Sequence, residues 1–204
     1  RALSIPDGDV LLFSGDLCGR GTLDEVARFA EWMQELPHPH KVVIAGNHDW
    51  PFQRTPDQAR ALLAPVCTYL QDSSTSIDGL RIYGSPWQPE FFNWAFNLPR
   101  GKALEEKWRL IEPCHVLLTH GPPFGVGDCT ADGRPVGCRA LARRLEDVSP
   151  LLHCFGHIHE AYGRQLVDGR WEVNASNCTL AYRPTNAPWV FEIDPHNLQC
   201  CPVQ

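Results

Sequence analysis

Lys41-Val42-Val43-Ile44-Ala45-Gly46-Asn47-His48-Asp49 is the stretch from which the fold can be read. Its apolar, largely β-branched run has the composition of a buried strand. The run breaks at a glycine, and three polar side chains follow at once. The pattern recurs along the chain. Asp9–Ser14 reads as a strand ending at Gly15-Asp16. His115–Thr119 reads as a strand ending at His120-Gly121-Pro122-Pro123, and Leu151–Phe155 as one ending at Gly156-His157-Ile158-His159. In α/β sheets, functional groups gather beyond the carboxyl ends of strands. Four polar turns delivered to one sheet edge therefore predict one site.

The segments between these strands read as helices. Thr22-Leu23-Asp24-Glu25 has the form of a capping box, with Thr22 as N-cap and Glu25 three residues on. The helix it opens carries Leu23, Val26, Ala27, Ala30 and Met33 at helical spacing, and Pro37 closes it. Pro56–Ala64, Lys102–Ile111 and Cys138–Val148 are further helices. Leu80–Gly84 is a strand, with two more near Trp171–Ala175 and Trp189–Ile193. Pro86–Arg100 is a loop dense in aromatic residues, and packing is the simplest role for them. Alternating short strands and helices define a layered α/β class. With 204 residues, no repeat and no linker, the chain reads as a single domain, residues 1–204.

Composition narrows the function. A net charge of −6 argues against a nucleic-acid partner, because phosphate-backbone binding needs clustered Lys and Arg. A locally positive metal site can still attract a phosphate. No apolar run approaches the roughly 20 residues of a membrane helix, and no signal peptide is visible, so no membrane partner is expected. The nine cysteines are odd in number and include no Cys-x-x-Cys pair. They read as free thiols of a reducing compartment, which places the protein in the cytoplasm. Cys18 and Cys129 are the two expected near the site.

Asp16, Asn47, His120, His157 and His159 are the candidate metal ligands. Imidazole with hard oxygen donors suits first-row divalent ions such as Mn, Fe or Zn. Residues two apart in an extended segment point to the same side, so His157 and His159 can serve two ions ~4 Å apart. Asp16 can bridge such a pair through its two carboxylate oxygens.

Taken together, Gly15-Asp16, Gly46-Asn47-His48-Asp49, Thr119-His120-Gly121 and Gly156-His157-Ile158-His159 resemble four of the five blocks of the calcineurin-like metallophosphoesterase family, in the family's order. Arg81–Trp87, Phe96–Gly101 and Pro184–Pro188 resemble its metallophosphoesterase-domain-containing branch, close to the class III cyclic-nucleotide phosphodiesterases. The resemblance implies a layered sandwich of two mixed β-sheets flanked by helices. It makes Asp16 the bridging carboxylate, with Asn47, His120 and His157 on the second metal and His159 on the first. His48 becomes the histidine that contacts the phosphate and assists the leaving group, with Asp49 orienting its imidazole. The implied chemistry is in-line attack of a metal-bridging hydroxide on a phosphodiester, with both ions neutralising the phosphoryl oxygens.

The family's opening Asp-x-His block has no counterpart and would lie upstream of Arg1. By resemblance it supplies two ligands of the first metal, so the first-metal site is incomplete and the first strand is missing. A fragment of a longer enzyme and a natural short form both fit. Truncation is the reading adopted, because the remaining ligands are intact. The expected function is hydrolysis of phosphodiesters, cyclic nucleotides among them. The alternative is a nucleotide-binding protein with vestigial catalysis, and a phosphomonoesterase acting on proteins is a third option. The expected partner is a small phosphate ester or nucleotide. His38, His40, His115, His153 and His196 have no motif context and are assigned to surface or core.

Overall fold

In the computed structural model, which describes residues 3–203, the strands run β1 (Val10–Phe13), β2 (His40–Val43), β3 (Thr68–Tyr69), β4 (Ser73–Ile77), β5 (Leu80–Ser85), β6 (Gln88–Pro89), β7 (Asn97–Leu98), β8 (Val116–Thr119), β9 (Leu152–Phe155), β10 (Gly163–Val167), β11 (Arg170–Asn174), β12 (Phe191–Asp194) and β13 (Gln199–Pro202). The helices are α1 (Leu23–Glu35), α2 (Pro51–Arg54), α3 (Pro56–Leu63), α4 (Lys102–Trp108) and α5 (Arg139–Val148). A three-stranded sheet has the order β1-β2-β3, and a six-stranded sheet the order β10-β11-β9-β8-β5-β4. The larger sheet is mixed, with β5, β8, β9 and β11 parallel and β4 and β10 antiparallel at its edges. The smaller sheet is parallel throughout.

Side-chain alternation assigns the layers. In the 42–45 run, Val42 and Ile44 join Ile82, Val116, Leu118, Leu152 and Val173 in a core between the two sheets. Val43 and Ala45 point the other way, onto Val26, Phe29 and Met33 of α1 and Leu63 of α3. Leu117, between Val116 and Leu118, packs instead with Trp108 of α4 and Leu141 and Leu145 of α5. Helices thus cover both outer faces of a two-sheet sandwich. Strands buried on both faces read as continuous apolar runs.

α1 begins as the sequence predicts. The Thr22 side chain accepts from the Glu25 amide, and the Glu25 side chain accepts from the Thr22 amide, completing the box. Cys138 caps α5 through its thiol, which accepts from the Leu141 amide. The expected helix over 102–111 ends at Trp108. α2 and the polar strands β4 and β10 go beyond the sequence reading. Among the described residues, no helix is long and apolar enough to cross a membrane. The nine cysteines are all free thiols.

Candidate metal centre

β1 and β2 are parallel, as are β8 and β9, so the turns after them open on shared edges of their sheets. The turns are built on unusual backbone. Gly15 (φ 99°), Asp16 (φ 62°) and His157 (φ 69°) all lie in the left-handed region, so each chain reverses within a residue or two of its strand. A Cβ at Gly46 would come within 2.6 Å of His120 Cε1, so only glycine lets these two turns approach.

Asp16, His120 and His157 come together, with a ligand atom of each within 4.8 Å of the others. Asn47 joins them, its Oδ1 lying 2.8 Å from Nε2 of His120. His120 is buried, and its Nδ1 lies 2.9 Å from the carbonyl of Ser14. A carbonyl can only accept, so Nδ1 carries the proton and Nε2 turns its lone pair inward. That nitrogen faces Asn47 Oδ1 at 2.8 Å and Asp16 Oδ2 at 3.4 Å. Three acceptors pointed at one another require a shared proton or a cation between them. An imidazole, an amide oxygen and a carboxylate form a donor set that fits a first-row divalent ion.

The electrostatics follow. Burial works to raise the Asp16 carboxyl, but His120 and His48 outweigh it and hold the group well below the ordinary carboxylate range. Burial works to lower His120, and the charge of Asp16 reverses this, so the imidazole is raised. His157 is pushed down to about 3, first by burial and then by the neighbouring His120. It therefore stands neutral, with the lone pair of one ring nitrogen available.

Asp49 departs from the expected role. Its fully buried carboxylate accepts from the amides of Asp16 (2.9 Å), Leu17 (3.3 Å), Cys18 (2.8 Å) and Gly46 (2.6 Å). It binds the turn after β1 to the turn after β2. Orientation of the His48 imidazole falls to the carbonyl of Gly19, 3.0 Å from Nδ1. Burial, followed by the charge of Asp16, raises the Asp49 carboxyl.

By resemblance His159 belongs to the first metal rather than the second. It lies outside the Asp16–His120–His157 group, in a 3-10 turn, with Nδ1 3.1 Å from the carbonyl of Thr179. Residues two apart in a strand would share a face, but the chain leaves the extended conformation at His157 (φ 69°) and the alternation ends there.

The aromatic loop is only partly packing. Trp87 is held by Asp72 at 2.9 Å and by a T-shaped contact with Phe96. Phe91 and Phe92 are 52% and 71% exposed, with their carbonyls gripped by the Asn97 amide. Phe91 stands 6.4 Å from the His157 ring, and Trp94 meets His48 edge-on at 4.2 Å. Tyr182, also exposed, stands 5.5 Å from His159 and 6.5 Å from His48. Tyr182 has no motif around it, and only the fold brings it to the rim. Asp128 is a turn residue, accepting from the amides of Gly125 and Gly137. Cys18 is adjacent to the site but buried, its thiol raised by burial and then by Asp49, whereas Cys129 is exposed.

The sequence pattern of the calcineurin-like phosphoesterase family matches residues 1–161. Metallophosphoesterase domain-containing protein 1 of Homo sapiens is 42% identical over 217 residues, covering 94% of this chain and 66% of its own length. A UPF0046 protein of Caenorhabditis elegans is 37% identical over 209 residues, covering 93% of this chain and 74% of its own. A Synechococcus protein named "Probable cyclic nucleotide phosphodiesterase" is 29% identical over 163 residues, covering 78% of this chain and 61% of its own. The crystal structure of TT1561 from Thermus thermophilus superposes with a TM-score of 0.61 at 18% identity, covering 96% of this chain and 87% of that one.

Proposed function

The chain belongs to the calcineurin-like phosphoesterase family, and from that premise we propose that it is a metal-dependent phosphodiesterase whose ligands are Asp16, Asn47, His120 and His157. The observation that carries this reading is the convergence of Asp16 Oδ2, Asn47 Oδ1 and His120 Nε2 on one another, a donor set that a cation between them would satisfy. Divalent ions bound there supply Lewis acidity and lower the pKa of coordinated water toward ~7.

The chain's own residues do the rest. His48 has Nδ1 tied to Gly19, so Nε2 is directed to the substrate side, where the imidazolium form can donate to a phosphoryl or leaving oxygen. Phe91, Trp94 and Tyr182 form an aromatic rim around the imidazoles that suits an ester bearing a planar ring. A cyclic nucleotide meets that description, and a Synechococcus relative carries the same activity in its name. The test is hydrolysis of a chromogenic aryl phosphodiester with added Mn(II). His120→Ala and His157→Ala are each expected to lose activity by about 100-fold or more. Undiminished turnover in both variants would sink the assignment.

A second reading, nucleotide binding with little turnover, is favoured by one observation. The gathered group holds Asp16, His120 and His157 with Asn47 beside them, which amounts to one ion's worth of ligands. Metal analysis separates the two, since one tightly held ion with AMP binding and no hydrolysis supports the second.

A further inference from the structure

We propose that a buried polar rail on β11, a strand with no residue in the cluster, positions His120 for metal binding. The proposal rests on the reading of His120 as a ligand. Arg170, Glu172 and Asn174 alternate along β11 and share one face. Arg170 Nη1 donates to the carbonyl of Leu145 near the end of α5 (3.1 Å), and its Nε donates to Glu172 (2.6 Å). The other Glu172 oxygen lies 2.7 Å from Nδ1 of His153, its partner on β9. Nε2 of His153 lies 2.8 Å from the Thr119 hydroxyl, and that hydroxyl donates to the carbonyl of Gly121 (2.9 Å). The chain of contacts thus ends by clamping the residues on either side of His120.

Asn174 continues the rail. Its amide donates to the carbonyls of Ile158 (2.8 Å) and Gly127 (3.0 Å) and so braces the turn that carries His157. Both imidazole-bearing turns are held from one face of one strand. The side chains of His153 and Glu172 are 0% exposed. Buried ionic groups carry a large desolvation cost, and apolar residues of similar volume often serve stability as well or better. Stability is therefore a poor explanation for this network. Fixing the peptide after His120 is a task that an apolar contact cannot perform.

The experiment is Mn(II) titration of the full chain, with free Mn(II) read by electron paramagnetic resonance. Thr119→Val removes only the hydroxyl and is expected to weaken Mn(II) binding roughly 10–100-fold, the range for groups that orient a ligand. Thr119→Ser restores the hydroxyl and is expected to restore the affinity. Glu172→Gln should weaken binding in the same direction. A Thr119→Val protein that melts earlier but binds Mn(II) within about twofold of the parent overturns the proposal, since a purely structural role predicts that outcome. Absence of Mn(II) binding by the parent removes the metal reading instead. The 1H–15N signals of the His120 ring, recorded without metal, then decide the rail alone. Displacement of those signals in Thr119→Val upholds it, and unchanged signals refute it.

Discussion

At the scale of the residue, Asp49 is the most consequential correction. By motif it is the neighbour of a catalytic histidine, yet its two oxygens serve four backbone amides from two turns. All four contacts require an acceptor, which Asn supplies at only one of its two positions. Asp49→Asn is accordingly expected to cost about 2–3 kcal/mol, the range for leaving buried donors unsatisfied. Urea unfolding will measure it, and a cost under about 0.5 kcal/mol would refute the bracing role. The sequence reveals residue types and their spacing from the nearest glycine. That was enough to single out Asp16, Asn47, His120 and His157. It does not reveal where a side chain turns when the backbone enters the left-handed region, as at Asp16 and His157.

At the scale of the element, the N-terminus of α1 was the most legible feature because both halves of a capping box lie within three residues of each other. Glu25 does more than close the box, since it also accepts from the amides of Gly19 and Arg20. It thereby holds the loop whose Gly19 carbonyl orients His48. Burial alone would raise the Glu25 carboxyl, but the amides of Thr22, Arg20 and Gly19 outweigh it and lower the group. A depressed carboxyl stabilises the fold above its unfolded value of about 4.3, and the contribution is lost as pH falls through the folded value. The stability gap between the parent and Glu25→Gln is thus expected to be present at neutral pH and to close in acid. Paired denaturant titrations at the two pH values check this, and a gap that widens in acid would contradict it. Elements whose stability comes from distant partners were not legible. β4 (Ser73–Ile77) shows little apolar alternation, and β10 (Gly163–Val167) has a weak pattern. The His153–Glu172 pair joins residues that only the β9–β11 register brings face to face.

At the scale of the whole molecule, the layered class followed from alternation alone, because apolar strand runs demand cover on both faces. The mutual placement of the turns depends on parallel strand order, which one sequence does not reveal. The cluster assembles groups 31 or more residues apart, joined by backbone contacts such as Gly156 N to His120 O (2.9 Å) and by the Asp49 and Asn174 side chains. Metal uptake should therefore need little rearrangement, and far-ultraviolet circular dichroism is expected to stay unchanged on adding Mn(II) while the melting temperature rises. A large gain in helical signal would count against this. The same scaffolding has a thermodynamic corollary. A cage rigid before loading has already met its ordering entropy during folding, so cation capture should be governed by dehydration of the ion, and selectivity among ions by how easily each gives up its water.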